Sequence, residues 1–196
     1  MKTLIYFGSA ALLIVLAFVV FRVVLRHDYR REGRATLLSS LLEMLVMVAY
    51  MSFPYLYNPP QWVSFWSREV PVGATLRVIG VLFITAGVVS AFGTMLWFGL
   101  RRALGLETQG LTQSGPYRLT RNPQLVGFSL TVLGSAVLWP SWYALGWTLL
   151  YGVVGHLMVM TEEEHLLRVF GEEYASYCRR VPRYAGLWWR REGNKC

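Results

Sequence analysis

The chain has little charge for its length and only two cysteines. Asp, Glu, Lys and Arg make up 15% of its 196 residues, whereas 55% of the residues are hydrophobic and 15% are aromatic. A soluble domain of this size rarely combines so little charge with several long apolar runs. The two cysteines, Cys178 and Cys196, form neither a metal-ligand pattern nor a disulfide framework. The composition therefore favours a membrane protein over a soluble domain or a disulfide-rich secreted one.

Five apolar runs divide the chain, at residues 4–25, 37–57, 76–100, 123–139 and 142–160. Each is about 17 to 25 residues long, which is the length of a helix that crosses a bilayer core. The fourth is short and would need local thinning of the bilayer. The first run lacks a small-residue cleavage site before the basic residues that follow, so we expect it to stay as an anchor.

The last two runs are separated by a tight turn. Pro140 breaks a helix and Ser141 can cap the next one, so the chain is expected to reverse direction there. Residues 162–177 continue with the spacing of a helix that leaves the membrane, with Gly171 as a possible kink. The predicted fold is all-α: five transmembrane helices, the last two a hairpin, and a cytoplasmic C-terminal helix. Residues 1–100 form the first three spans, and residues 101–196 form one integrated domain with the site.

Basic residues alternate between the two sides of the predicted membrane. They cluster at residues 22–34, at 101–121 and after residue 168, whereas the opposite side holds Lys2, Arg68 and Arg77. The positive-inside rule then places the N-terminus outside and the C-terminus in the cytoplasm. Both cysteines are expected to be reduced there. This asymmetry accounts for the net charge of +8, so nucleic-acid binding is not required.

Two polar blocks flank the hairpin, at residues 115–127 and 162–165. If both arms are helices, residues equidistant from the turn lie at equal depth, so Arg121 is level with Met160 and Arg118 is level with Glu163. Guanidinium groups and carboxylates therefore meet at one end of the hairpin. This end, which we place at the cytoplasmic surface, is the predicted site.

The same blocks resemble the isoprenylcysteine carboxyl methyltransferase and phospholipid methyltransferase superfamily. The resemblance covers residues 111–184 and also includes the ending Val181-Pro182-Arg183. It depends on these residues: Gly115, Pro116, Tyr117, Arg118, Arg121, Pro123 and Gly127 in the first block, and Glu162, Glu163, Leu166, Phe170, Gly171, Tyr174 and Tyr177 in the second. The resemblance implies an integral-membrane enzyme that uses S-adenosylmethionine, with the cofactor held by the hairpin and the C-terminal helix.

Two positions depart from the superfamily pattern. Asn122 stands where the pattern has His, and Leu125 stands where it has Tyr. An amide can donate and accept hydrogen bonds, but it cannot take up a proton near neutral pH. A positioning role for residue 122 is therefore retained, whereas a proton-shuttling role is not.

The chemistry of S-adenosylmethionine suits the residue types in the two blocks. Arg118 or Arg121 would bind its carboxylate, and the two adjacent glutamates would bind its cationic end or its ribose hydroxyls. Tyrosine rings would face the adenine or the sulfonium. The predicted cofactor-binding residues are Tyr117, Arg118, Arg121, Asn122, Pro123, Gly127, Glu162, Glu163, Tyr174 and Tyr177. Arg121, Asn122 and Glu163 are the predicted catalytic residues, and no metal is expected.

Each of these residues also has a simpler structural interpretation. The two arginines can serve the positive-inside rule alone. Glu162–Glu164 can be a solvated helix start, with Glu164 as a surface partner of Arg168, and the tyrosines can be packing residues. His156 is expected to be a satisfied core histidine facing Leu125. Glu43 is an intramembrane carboxylate, and hence either functional or paired with a basic residue such as Arg34.

The sequence thus predicts a membrane methyltransferase that transfers a methyl group from S-adenosylmethionine to a lipidic or small amphipathic acceptor, whose nucleophile is a carboxylate, an amine or a thiol. Two alternatives stay open: a membrane NADPH-dependent reductase of the related sterol reductase type, and a methyltransferase-like protein without activity. The lipid bilayer is the expected partner.

Overall fold

The computed structural model describes residues 2–57, 70–99 and 110–184. Within these ranges the chain is helical and contains no strand. The helices are α1 (Lys2–Phe18), a π-helical segment (Val19–Leu25), α2 (Arg26–Arg31), α3 (Leu37–Tyr57), α4 (Ala74–Phe98), a 3₁₀ turn (Gly115–Arg118), α5 (Pro123–Leu138) and α6 (Trp142–Arg180).

Four stretches of the described residues are long and apolar enough to cross a membrane. They are Thr3–Arg31, which joins α1, the π-helical segment and α2, then Leu37–Pro54, Ala74–Phe98 and Trp142–Arg180. The fourth expected span forms α5, an apolar helix of only 16 residues. The prediction of an all-helical membrane protein is confirmed for the described residues, while the fifth span stays a prediction.

Many large apolar side chains point away from the protein. Leu4 is 79% exposed and Leu12 is 70% exposed on α1, and Leu82 and Val89 are exposed on α4. Such a surface is unfavourable in water but suits a bilayer, in which helices satisfy their own backbone hydrogen bonds.

The long helix α6 is the centre of the bundle. Tyr50 on α3 stacks on Trp147 with ring centroids 5.3 Å apart, and the Trp147 indole donates to the Tyr50 carbonyl at 3.1 Å. Tyr6 on α1 donates its hydroxyl to the Tyr143 carbonyl at 2.9 Å, and Tyr151 donates to the Leu125 carbonyl on α5 at 2.8 Å. Three helices are therefore positioned by contacts with α6.

The helices α4 and α5 approach each other backbone to backbone. A Cβ atom added at Gly87 would lie 2.5 Å from the Gly127 carbonyl oxygen, and one added at Gly134 would lie 2.6 Å from the Gly80 carbonyl oxygen. Small residues permit such close packing between membrane helices. This contact fixes α5, and with it the polar block at its start, against α4.

The turn between α5 and α6 is built as the sequence predicts. Ser141 precedes α6, and its hydroxyl accepts a hydrogen bond from the Ala144 N–H at 3.0 Å. The expected C-terminal helix is continuous with the second arm of the hairpin within α6. Gly171 interrupts it, with φ of 49° and ψ of −122°, a conformation open mainly to glycine. The loop at residues 101–109 and the tail at 185–196 lie outside the described residues.

Candidate cofactor site

The polar block before α5 lies against the chain that follows α6. The Arg121 N–H donates to the Pro182 carbonyl at 2.9 Å. The Thr120 hydroxyl and the Asn122 amide both donate to the Arg183 carbonyl, at 3.1 and 2.9 Å. These three bonds join the two ends of the hairpin domain, so the residues of the first block meet those that end α6.

A buried ion cluster lies at this junction. Arg121 Nη1 is 3.1 Å from Glu163 Oε1, and the two side chains are only 3% and 6% exposed. Arg183 donates to the other oxygen, Glu163 Oε2, through Nη2 at 2.6 Å and through Nε at 3.0 Å. One carboxylate thus faces two guanidinium groups, and these hydrogen bonds raise the pKa of Arg183 above its already high ordinary value. We call Arg121, Glu163 and Arg183 the hairpin ion cluster.

The hairpin ion cluster and its surroundings leave buried polar atoms for a ligand. Although Glu163 Oε1 lies close to Arg121, it receives no hydrogen bond of good geometry from the described residues, and Gln124 Nε2 on α5 is likewise buried without one. Buried polar atoms without a partner cost free energy and are exceptional in folded proteins. An acceptor atom on Glu163 and a donor atom on Gln124 are therefore available among the described residues.

Cys178 also contacts the cluster. Arg121 Nη1 lies 2.6 Å from its sulfur. The expectation that both cysteines are reduced stays a prediction, because Cys196 lies outside the described residues. The contact helps to enclose the Arg121 guanidinium.

The two polar blocks meet at one end of the hairpin, as expected, and they do so through Arg121 and Glu163. Arg118, which was expected to lie level with Glu163, is exposed. The reason is that residues 115–118 form a 3₁₀ turn and the chain does not become α-helical until Pro123, so the helical rise does not apply to these residues. Arg183 is the second arginine that contacts Glu163, and sequence reasoning did not predict this contact. Its signal was the Val181-Pro182-Arg183 ending.

Two of the three predicted tyrosines are packing residues. Tyr174 and Tyr177 are 1% and 3% exposed and form a small core with Cys178 and Val181. Tyr177 also donates its hydroxyl to the Tyr117 carbonyl at 2.7 Å, and so ties the 3₁₀ turn to α6. Tyr117 itself is half-buried, with its ring centroid 5.2 Å from that of Phe98. Cofactor contact stays a prediction for all three.

The remaining residues of the first block shape the start of α5. Asn122 is the N-cap residue, but its side chain makes no cap hydrogen bond and binds Arg183 instead. Pro123 is buried in the first turn of α5, where proline is well tolerated. A Cβ atom on Gly127 would lie 2.7 Å from the Ala91 nitrogen, so this glycine has a packing role against α4.

A second polar group lies on the inner side of α6. The half-buried Glu162 is close enough to Glu43 on α3 for their charges to interact, and both interact with Tyr29. The Tyr29 ring stacks on His165 at 4.1 Å. The structure therefore places the carboxyl group of Glu162 near that of Glu43. Within the described ranges, no group of three or more His, Cys, Asp or Glu side chains is placed to hold a metal ion.

The expectation for His156 is wrong. Its side chain is exposed rather than in the core, and Nδ1 lies 2.8 Å from the Tyr184 hydroxyl. Gly155 faces Leu125 instead, because an added Cβ atom would lie 2.8 Å from a Leu125 methyl group.

Comparisons with known proteins relate the chain to one family model and one characterised relative. A family model described as phospholipid methyltransferase matches residues 69–173, a range that contains the first polar block and the two adjacent glutamates. The cobalt-zinc-cadmium resistance protein CzcN of Cupriavidus metallidurans is 31% identical over 144 residues, which cover 71% of this chain and 60% of that protein. The chain thus spans about three-fifths of the length of this relative. No solved structure matches the chain.

Proposed function

We propose a function for this chain, which belongs to the phospholipid methyltransferase family. It is an integral-membrane enzyme that transfers a methyl group from S-adenosylmethionine to a lipidic or small amphipathic acceptor. The chain has the apolar helices that the membrane placement requires. The identity of the cofactor and the position of its site are part of the proposal.

The observation that carries the proposal is the hairpin ion cluster. The amino-acid end of S-adenosylmethionine has a carboxylate and an ammonium group, which need opposite partners a few ångströms apart. Arg121 and Glu163 offer these partners, buried and already oriented. The Glu163 oxygen that lacks a good hydrogen bond is suited to accept one from the ammonium or from a ribose hydroxyl. The residues present therefore fit the cofactor.

Binding and orientation are the tasks of the side chains in this mechanism. S-adenosylmethionine supplies an activated methyl group, which the lone pair of the acceptor takes while the electrons of the broken carbon–sulfur bond stay on sulfur. Arg121 and Glu163 would hold the amino-acid end of this cofactor. Asn122 fixes the chain around Arg183, which in turn holds Glu163. Alignment of this kind contributes most of the acceleration that such a displacement needs.

The acceptor is expected to come from the bilayer. The site lies at one end of the hairpin formed by α5 and α6, and the outward surfaces of α1 and α4 are apolar. A carboxylate, an amine or a thiol each has the lone pair that the transfer requires. We place the site at the cytoplasmic surface, with the N-terminus outside, because basic residues cluster on that side.

A binding panel tests the proposal. Purified protein in a neutral detergent is titrated with S-adenosylmethionine and with NADPH, using isothermal calorimetry. We expect binding of S-adenosylmethionine only, and a loss of about tenfold or more in the Glu163→Gln variant, because a charge-assisted contact is worth about 1.5 to 3 kcal/mol. Glu172→Gln is the matched control, since Glu172 is on the same helix but its side chain is 80% exposed. Binding of NADPH alone would favour a reductase, and binding of neither would favour a protein without this activity.

A further inference from the structure

A second charged cluster lies where α2 and the π-helical segment pack against α6. Glu164 accepts hydrogen bonds from Arg26 at 2.9 Å and from Arg30 at 2.8 Å, and lies 3.4 Å from Arg22. Arg168, four residues along α6, is 3.5 Å from the same carboxylate. We call these four arginines and Glu164 the arginine clasp. The sequence suggested only the pair of Glu164 with Arg168.

The arginine clasp has more positive charge than its own carboxylate can balance. Four guanidinium groups surround one glutamate, which leaves three positive charges in excess. The two acidic residues that are near in sequence have other partners: Asp28 on α2 accepts from the Thr36 hydroxyl, and Glu32 just after α2 is 3.6 Å from Arg31. A guanidinium group carries five N–H donors, whereas one carboxylate offers about four acceptor positions. An anion with several oxygen atoms would complete the cluster.

The arginines are open to such an anion. Their side chains are 21% exposed at Arg22, 35% at Arg26, 51% at Arg30 and 41% at Arg168. Arg22 lies within the π-helical segment, a rare form of helix that often occurs at functional positions. The partners of this segment on α6 include Thr161, whose hydroxyl accepts from Arg22 at 3.3 Å. Arg22, Arg26 and Arg30 are thus arranged along one side of the span Thr3–Arg31, on successive turns.

The depth of the clasp matches the headgroup layer of a bilayer. Taking Thr3 as one boundary, a helix that rises about 1.5 Å per residue reaches Arg22 after about 29 Å, close to the hydrocarbon thickness of about 30 Å. Arg26 and Arg30 then lie about 6 and 12 Å further along, among the headgroups. Just before Arg26 and Arg30 on the same span, the side chains of Val19 and Val23 are 43% and 54% exposed. An apolar surface therefore leads directly to the arginines.

We propose that the arginine clasp binds the phosphate of an anionic phospholipid, whose acyl chains lie along the exposed valines of the π-helical segment. The excess charge supplies the attraction, and the adjoining apolar surface selects a lipid over a free phosphate ion. This site is separate from the hairpin ion cluster and does not depend on the reaction. The bound lipid bridges the first span and α6, which already meet through Glu164.

Native mass spectrometry tests the proposal by counting bound lipids. Protein in a neutral detergent is titrated with phosphatidylglycerol and, separately, with phosphatidylcholine of the same chain length. We expect retention of phosphatidylglycerol only. Each arginine that contacts the phosphate is expected to be worth about 1 kcal/mol, or about fivefold in affinity, so the double variant Arg26→Gln/Arg30→Gln should bind about 25-fold more weakly. The matched control is Arg31→Gln/Arg34→Gln, which removes the same charge from exposed positions and should bind as the unmodified protein does.

A variant that removes the carboxylate instead of the arginines keeps the proposal testable if the double variant does not fold. Glu164→Gln removes the competing carboxylate, so it should bind phosphatidylglycerol at least as tightly as the unmodified protein. Equal losses in the two double variants, or weaker binding in Glu164→Gln, would overturn the proposal. Competition by inorganic phosphate at the same concentration as the lipid would show a site for the free ion and overturn the assignment to a lipid.

Discussion

Arg183 has two roles at the candidate site, since its carbonyl anchors the first polar block while its guanidinium holds Glu163. Replacing it with Gln removes two charge-assisted hydrogen bonds and should lower the free energy of unfolding by about 1.5 to 3 kcal/mol. Arg179→Gln is the control, because Arg179 is 58% exposed and pairs with the exposed Glu172, an arrangement worth about 0 to 1 kcal/mol. Thermal denaturation in detergent measures both variants. Equal losses would contradict the importance of the hairpin ion cluster for stability.

Asn122 is a positioning residue in this account. Its amide holds the Arg183 carbonyl at 2.9 Å, and an imidazole N–H can make the same bond. We therefore expect Asn122→His to transfer methyl groups at an unchanged or lower rate, and Asn122→Ala to lose about fivefold through the missing hydrogen bond. Rates measured across pH decide the matter. A large gain in the His variant that follows an ionisation near the imidazole pKa of about 6.5 would instead show that a proton acceptor was missing.

At the residue scale, the sequence predicted part of the candidate site but not all of its contacts. It brought the blocks that contain Arg121 and Glu163 to one end of the hairpin, and these two side chains are in contact. It placed Arg118 level with Glu163 and gave Arg183 no role beside that carboxylate, because depth along an α-helix says nothing about a 3₁₀ turn or about the chain after α6 has ended. Which arginine reaches a carboxylate depends on the path of the backbone between the elements.

At the scale of the helices, the close contact of α4 with α5 sets the position of the first polar block. A methyl group at Gly87 would overlap the Gly127 carbonyl oxygen and the Thr131 nitrogen, which are backbone atoms and cannot move aside cheaply. Gly87→Ala should therefore lower the free energy of unfolding by about 1 to 3 kcal/mol, as overpacking does. Thermal denaturation in detergent measures the loss.

Gly93 provides the matched control on the same helix. An added Cβ atom there would meet nothing within 4 Å. Gly93→Ala should be neutral or slightly stabilising, since alanine favours a helix by up to about 1 kcal/mol over glycine. A Gly87→Ala variant as stable as Gly93→Ala would mean that α4 and α5 do not pack as closely as described.

The helices themselves were largely predictable. Hydrophobic runs marked the start of α3 at Leu37, of α5 at Pro123 and of α6 at Trp142, because proline, serine and charged residues punctuate them. The extension of the first span through the π-helical segment to Arg31 was not foreseen, since its arginines suggested a loop. Those arginines are held in a helix by Glu164, a contact between residues far apart in the sequence.

At the scale of the whole molecule, orientation in the membrane follows from the placement of basic residues. We expect the loop after α2 to lie inside and the chain before α4 to lie outside. Single cysteines introduced at Glu32 and at Gly73 test this, because both positions are exposed. An impermeant thiol reagent added to intact cells should label the protein with Gly73→Cys and should label the one with Glu32→Cys no more than the unmodified protein. The reverse pattern would invert the orientation.

The central claim is that the hairpin ion cluster supports methyl transfer to a membrane acceptor. The most direct measurement supplies reconstituted protein with S-adenosylmethionine labelled on its methyl group, together with a membrane lipid extract and small amphipathic carboxylates, amines and thiols. We predict that the unmodified protein and Glu172→Gln transfer label to one class of acceptor, and that Glu163→Gln loses about tenfold or more of this activity. Absence of labelled product from the unmodified protein with every class, or equal product from Glu163→Gln, would contradict the account.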